Sequence, residues 1–433
     1  MTFVLALFYI IIFSFLILKL DFFKIESLSK KVLFGIFALK LFAGFAWFYV
    51  YDVHYSDKRQ TDLGAVRHDA SLIYELYQSN IKDALLISLG VSSDSIEKKY
   101  LMSSVAWFGN TKGFNKSIGN ASETRDPISL RLITRINVFL SVLSFNQFSV
   151  HTFFFVILSY IGIILWIKAL INLGIEPILS MLAFCLPSFL FWNSGICKES
   201  LCVLAIGMIM YGLLNLKSYR SSWLIFVLGS ILLYFLKNYL LLCVLLPMLI
   251  YLFFKHINPL KVWVFSLLVI FFFLVLNLYG YLGNSVMHYA VESQNTQIYL
   301  ATRTLATSFL EVPKLYNNAA SFFTMLPYAL KNTLLMPNLM HIENFKVWPF
   351  LIENFIAVAL FITYLFSSNK QANNHVRVLL LFTFMSLILI IGYNIPILGS
   401  IVRLKAILFP YLFIFLLLPY QNTIKRSFAP WLE

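Results

Sequence analysis

Long apolar runs alternate with short polar connectors along most of the chain, and this alternation is the strongest pattern in the sequence. A helix needs about twenty apolar residues to cross the hydrocarbon core of a bilayer. Runs of this kind predict spans at residues 2–20, 32–51, 148–171, 176–193, 197–216, 222–236, 239–254, 260–280, 348–366, 377–393 and 401–420. The predicted fold class is therefore all-α, a polytopic membrane bundle of about 11 transmembrane helices.

Two long segments lack such runs and carry amphipathic patterns instead. In the first, residues 68–80 place apolar side chains at helical spacing, and residues 131–145 predict a helix lying at the membrane surface. These segments divide the chain into N-terminal spans, a first polar segment, a central bundle, a second polar segment and a C-terminal bundle. The boundaries are 1–51, 52–147, 148–280, 281–347 and 348–433.

Composition excludes a soluble domain, because 60% of the residues are hydrophobic and only 12% are charged, with a mean hydropathy of +0.82. The net charge of +14 comes largely from Lys and Arg in connectors on one side of the predicted spans. By the positive-inside rule this side is cytoplasmic, which places the amino terminus and both polar segments outside and the carboxyl terminus inside. Nucleic acid is therefore not a predicted partner, while membrane lipid is.

No cofactor motif is visible. The four cysteines lie in or beside apolar runs without metal-ligand spacing, so they are interpreted as small core residues. No nucleotide-binding glycine loop, zinc-protease helix or serine-hydrolase elbow occurs. The sequence requires no cofactor, and a divalent cation is left open.

Candidate chemistry begins with Lys198 and Glu199, which stand between two apolar runs. An ionisable residue inside a membrane helix costs roughly 2.5 to 3.5 kcal/mol on insertion scales and usually marks a site. Further polar residues fall on the same predicted side of the membrane: Asp62, Arg67, His68, Asp69, Lys237, Glu353, Asn354, Arg403 and Lys405. Together they predict one outward-facing site in which cations hold a phosphate and a carboxylate accepts a hydroxyl proton.

Each candidate also has a structural alternative. Lys198 and Glu199 pair with each other or reach the headgroups, and Lys237, Arg403 and Lys405 anchor helix ends at the interface. Asp69 is then a helix cap or a solvated helix residue.

Several short stretches carry a resemblance to a known family. They are PSFLFWNSGICKESL (187–201), HDASLIYEL (68–76), ILGSIVRLKAILFP (397–410) and LKNTLLMPNLMHIENFKVWPFLIEN (330–354). They resemble stretches of the C-type glycosyltransferase superfamily, which depends on polyprenyl-phosphate sugars, and of the related bacterial O-antigen and surface-polysaccharide polymerases. The resemblance implies that Asp69 is the acidic residue of the first external loop and that Arg403 faces a lipid-linked phosphate.

The resemblance and the polar cluster together predict an enzyme of the bacterial inner membrane that transfers a saccharide at the extracytoplasmic face. Its expected partners are a polyprenyl-(pyro)phosphate-linked saccharide donor and a saccharide or lipid-linked acceptor. Asp69 is expected to activate the acceptor hydroxyl, and Glu199 to orient Lys198 or an acceptor sugar. A transporter or flippase for lipid-linked saccharides and a non-catalytic scaffold remain open as alternatives.

Overall fold

The structure is a computed structural model that describes residues 2–26, 28–54, 61–108, 127–217, 220–257, 261, 264, 286–303, 308–341, 347–367 and 374–432. These described residues form helices and contain no β-strand. In this described part of the chain, seven helices are long and apolar enough to cross a membrane. The predicted all-α membrane protein is therefore confirmed at this level.

The first seven helices, in chain order, are α1 (Thr2–Lys19), α2 (Lys30–Tyr49), α3 (Asp62–Ser79), α4 (Ile81–Leu89), α5 (Asp94–Leu101), α6 (Val105–Phe108) and α7 (Pro127–Ser144). The next five are α8 (Phe148–Asn172), α9 (Pro177–Phe184), α10 (Pro187–Trp192), α11 (Lys198–Leu214) and α12 (Ser221–Phe254). The last six are α13 (Val286–Arg303), α14 (Ala319–Leu335), α15 (Trp348–Phe366), α16 (Asn374–Asn394), α17 (Leu398–Leu417) and α18 (Gln421–Leu432).

Most predicted spans coincide with one helix, but the span predicted after α8 does not. The span predicted at 176–193 is divided into α9 and α10, and the next one is α11. Pro177 and Pro187 each begin a helix, because proline lacks an N–H and fits the first helical turn. The span predicted at 260–280 lies almost entirely outside the described residues.

The spans predicted at 222–236 and 239–254 both belong to α12, which runs for 34 residues. Lys237 interrupts its helical geometry with φ −158° and ψ 88°, so two helical stretches meet at the position where the sequence predicts a turn.

The chain divides into two compact units. Unit 1 comprises Met1–Trp166 and Leu190–Asn238, and unit 2 comprises Ile167–Phe189 and Tyr239–Glu433. The division of the chain at residues 51, 147, 280 and 347 stays a prediction.

Within unit 1, the described residues of the first polar segment, 52–54, 61–108 and 127–147, are mostly helical. Thr61 caps α3 by accepting the N–H of Gly64 at 3.0 Å, and α4 ends at Gly90, whose φ of +78° favours glycine. Helix α3 contacts α4, α6 and α7 and buries Ile73 and Leu76. The helix and this burial confirm the helical periodicity predicted for residues 68–80.

Candidate functional site

Asp69 is completely buried in α3, and its carboxylate holds the start of another helix. Its Oδ1 accepts the N–H of Val105 at 3.0 Å, and its Oδ2 accepts the N–H of Ala106 at 2.8 Å. The first N–H groups of a helix lack partners within that helix, so the carboxylate supplies a charge-assisted cap for α6. Both oxygens of Asp69 therefore accept backbone N–H groups, and direct proton abstraction by Asp69 stays a prediction that these contacts do not favour.

His68 contacts the buried carboxylate of Asp69 and is itself partly exposed. The His68 side chain is 40% exposed, and its Nδ1 lies 3.1 Å from Oδ1 of Asp69. In the tautomer with the proton on Nδ1, the Nδ1–H group donates a hydrogen bond to the carboxylate, and Nε2 is the unprotonated, basic ring nitrogen. A buried carboxylate that fixes the tautomer and orientation of an imidazole is an arrangement found in acid–base catalysis. The geometry therefore makes His68 a candidate base beside Asp69.

His68 lies on a cavity of about 270 Å³. The described residues that line the cavity are Tyr51, Asp52, Thr61, Leu63, Gly64, Arg67, His68 and Ser71. Arg67 forms an ion pair with Asp52 at 2.5 Å and lies 5.6 Å from the ring centroid of Phe148. An imidazole, a guanidinium and hydroxyl groups thus line the cavity. Asp62 begins α3 next to this wall, and its side chain lies outside the described part of the structure.

Glu199 and Lys198 do not pair with each other. Glu199 is fully buried and accepts a hydrogen bond from Lys237 Nζ at 2.6 Å, while Lys198 donates to Ser129 Oγ at 2.5 Å. The break in α12 brings Lys237 to Glu199, and the expectation that Glu199 orients Lys198 or an acceptor sugar stays a prediction. A buried ion pair of this kind is costly to break by removing one partner.

Lys40 is a residue that the sequence reasoning missed. It lies in the middle of α2, is fully buried and donates to the carbonyl of Asn193 at 2.8 Å and to Ser194 Oγ at 3.0 Å. These acceptors belong to the non-helical link between α10 and α11. The signal was present, since a single lysine interrupts the apolar run 32–51, where a charge is expensive.

Glycine allows this link to approach α2. A Cβ added at Gly195 would lie 2.2 Å from Trp47, and one added at Gly44 would lie 2.8 Å from the carbonyl oxygen of Ser194. The link is therefore fixed by Lys40 and by close backbone packing.

In unit 2, Lys405 is buried and uses its ammonium within the protein. Nζ donates to Met336 O at 2.8 Å, Asn354 Oδ1 at 2.8 Å and Leu334 O at 3.3 Å. An ammonium has three donors, so these acceptors satisfy it. Substrate binding by Lys405 stays a prediction, and a phosphate would have to displace these partners.

The neighbours of Lys405 are engaged in the same way. Asn354 Nδ2 donates to Pro337 O at 2.7 Å, so its amide spans the lysine and the backbone that follows α14. Glu353 is buried and accepts the N–H of Ser188 at 2.5 Å. Both residues thus contact the protein's own backbone, and substrate binding by Glu353 and Asn354 stays a prediction. Arg403 lies two positions before Lys405 in α17 and is partly buried.

The predicted site residues belong to two compact units. Unit 1 contains Asp62, His68, Asp69, Lys198, Glu199 and Lys237, and unit 2 contains Glu353, Asn354, Arg403 and Lys405. A pocket shared by Asp69, Lys198 and Arg403 stays a prediction.

Among the residues that the structure describes, no group of three or more His, Cys, Asp or Glu side chains is arranged to hold a metal ion. We compared the chain with protein-family models, curated proteins and solved structures, and none of the three comparisons gave a match.

Proposed function

We propose that the protein is a membrane-embedded glycosyltransferase that uses a polyprenyl-(pyro)phosphate-linked saccharide at the outer face of a bacterial inner membrane. The reaction is either single-sugar transfer or repeat-unit polymerisation in surface-polysaccharide assembly. The apolar helices support a membrane location, and the basic connectors support an external amino terminus and a cytoplasmic carboxyl terminus. About eleven spans complete the proposed topology.

The observation that carries this proposal is the His68–Asp69 pair at the wall of the cavity. Nε2 of His68 accepts the proton of an acceptor hydroxyl while that oxygen forms a bond to the anomeric carbon of the donor. The bond from the anomeric carbon to the phosphate oxygen breaks, and the phosphate leaves with the bonding electrons. Asp69 stabilises the imidazolium that forms, and a positioned general base of this kind contributes about 10² to 10⁴ in rate.

Arg67 supplies the positive charge on the same cavity wall. Negative charge develops on the leaving phosphate in the transition state, and cations already in place stabilise that charge. The Asp52 carboxylate pairs with Arg67 and sets the direction of its guanidinium. An imidazole base and a cation on one cavity match the two needs of transfer from a phosphate donor to a hydroxyl.

The test uses a bacterial host whose surface polysaccharide depends on this protein. Deletion is expected to abolish polymer or the added sugar and to leave lipid-linked saccharide in the membrane. Wild-type protein and the cavity control Ser71→Ala are expected to restore the product, whereas His68→Gln accumulates in the membrane without restoring it. Restoration by His68→Gln at the wild-type level would overturn the proposal.

A flippase for lipid-linked saccharides is the second candidate, and Lys40 is the observation that favours it. A charge in the middle of a span is a feature of translocation paths. The two candidates differ in the leaflet where precursor accumulates in the deletion strain. A membrane-impermeant oxidant such as periodate attacks the precursor if transfer has failed on the outside, and leaves it intact if translocation has failed.

A further inference from the structure

Two arginines of α7 converge on one tryptophan. Arg131 and Arg135 are one helical turn apart, and their Cζ atoms lie 5.4 Å and 5.6 Å from the ring centroid of Trp107. Trp107 is only 7% exposed, and both arginines are partly buried. Residues at i and i+4 share a helix face, so the guanidinium groups point to the same side of α7.

Backbone carbonyls hold the two arginines without neutralising them. Arg131 Nε donates to Ala106 O at 3.0 Å, Arg131 Nη2 donates to Trp107 O at 3.5 Å, and Arg135 Nε donates to Ile87 O at 3.1 Å. In the described part of the chain no carboxylate lies within ion-pair distance of either guanidinium, and Glu97 acts on Arg135 only from farther away. Burial first, and then the charge of Arg131, lower the pKa of Arg135. The arrangement concentrates positive charge that a bound anion would relieve.

The geometry points to a diphosphate. Backbone carbonyls orient each guanidinium. The terminal N–H groups that make no such contact are the donors with which arginine recognises phosphate oxygens. The distances to the shared ring keep the two Cζ atoms at most about 11 Å apart. A single carboxylate occupies one fork, whereas the two phosphates of a diphosphate supply oxygens to both.

We propose that the Arg131–Trp107–Arg135 clamp binds a diphosphate group. Trp107 belongs to α6, the four-residue helix whose first N–H groups are held by Asp69. The clamp and the Asp69 carboxylate therefore contact the same short helix. This inference deepens the proposed function by naming residues for the diphosphate of the donor, and it rests on that function for the identity of the lipid. The same chemistry also fits a soluble diphosphate.

The test measures binding and does not depend on transfer. Full-length protein in phosphatidylcholine nanodiscs is titrated with inorganic pyrophosphate by calorimetry, and the titration is repeated in nanodiscs that also contain polyprenyl diphosphate. Arg131→Lys and Arg135→Lys retain the charge but lose the fork, so each is expected to weaken binding about tenfold, and Arg131→Gln with Arg135→Gln about a hundredfold. Lys98→Gln removes an exposed cation of α5 and is expected to bind like the wild type.

If polyprenyl diphosphate weakens pyrophosphate binding, the clamp recognises the diphosphate of a lipid headgroup. If pyrophosphate binds equally well with and without the lipid, the ligand is a soluble diphosphate. Wild-type protein that binds neither probe, or a double glutamine variant that binds both like the wild type, would overturn the proposal. Thermal unfolding of the lysine variants controls for folding. If pyrophosphate binds normally while His68→Gln retains full transfer, the clamp stands and the proposed catalytic role of His68 fails.

Discussion

His68 in unit 1 and Lys405 in unit 2 are both ionisable groups with buried neighbours. They differ in how exposed the side chain is and in how many of its polar atoms bond to the protein. His68 is 40% exposed, bonds a fully buried carboxylate through one ring nitrogen and lies on a cavity. Lys405 is 3% exposed, and its ammonium donates to three protein oxygens. The sequence offers both as costly charges near membrane spans, but only the first group retains a surface on which a substrate can bind.

The contrast shows that burial by itself does not identify a reactive group. A buried cation whose donors are all satisfied stabilises the fold, because any ligand must first break internal hydrogen bonds. A partly exposed imidazole held from behind by a buried carboxylate is oriented for chemistry without being consumed by it. Asp69 holds the start of α6 through its two oxygens, and the adjacent His68 keeps a partly exposed ring beside it.

The largest expected effect is on His68. His68→Gln removes the base, and we expect saccharide transfer to fall about 10³-fold, equivalent to about 4 kcal/mol of transition-state stabilisation. Because the side chain lies at a cavity, the free energy of unfolding is expected to change little. Transfer is measured in membrane vesicles that contain the lipid-linked saccharide of the host, with Ser71→Ala as the matched cavity control. Equal losses in both variants would argue against a specific role for the imidazole.

The next effect concerns Lys405. Lys405→Met keeps the length of the side chain but leaves Asn354 Oδ1 and two carbonyls without their donor, so a loss of about 3 kcal/mol in unfolding free energy is expected. The measurement is unfolding in mixed micelles titrated with SDS. Lys331→Met, at an exposed position of α14, is the control. Transfer per folded molecule is expected to stay at the wild-type level. A loss of transfer without a loss of stability would instead indicate that Lys405 binds substrate.

A smaller effect is expected at Gly195. Gly195→Ala places a methyl group in contact with the Trp47 indole, where an added Cβ would lie 2.2 Å from the ring, so we expect about 2 kcal/mol of destabilisation from overpacking. Gly399→Ala has open space around the added carbon and serves as the control in the same SDS titration. Unchanged stability in Gly195→Ala would mean that the 193–197 link does not pack tightly on α2.

The smallest effect is expected for an exposed ion pair. Lys425 donates to Glu176 at 2.9 Å, but its side chain is 53% exposed. Lys425→Gln is therefore expected to change the unfolding free energy by less than about 1 kcal/mol, because water and salt screen such pairs. The same titration at low and high salt measures it. A loss of unfolding free energy as large as that of Lys405→Met would mean that the exposed lysine stabilises the fold as much as the buried one.

The helices were predictable because their signal is local. A span needs only a continuous apolar run, so α1, α2, α8 and α15 begin and end close to their predicted limits. The break between α9 and α10 was harder to predict, because short helices separated by proline retain the hydropathy of a single span.

The site was less predictable because its contacts are long-range. The sequence draws attention to Asp69, but its partners Val105 and Ala106 lie 36 and 37 positions along the chain and contribute backbone N–H groups, which leave no mark in the sequence. The partner of Glu199 is likewise 38 positions away, at a break in α12. Lys40 was visible as a lone charge within an apolar run, yet its acceptors belong to a link whose structure the sequence does not reveal.

Chemical rescue of His68 tests the central claim most directly. His68→Ala opens the cavity beside Asp69, and added imidazole has the chemistry of the missing side chain. We predict that imidazole restores a measurable part of saccharide transfer in His68→Ala vesicles and gives no increase in wild-type vesicles. Full transfer by His68→Ala without imidazole would contradict the account.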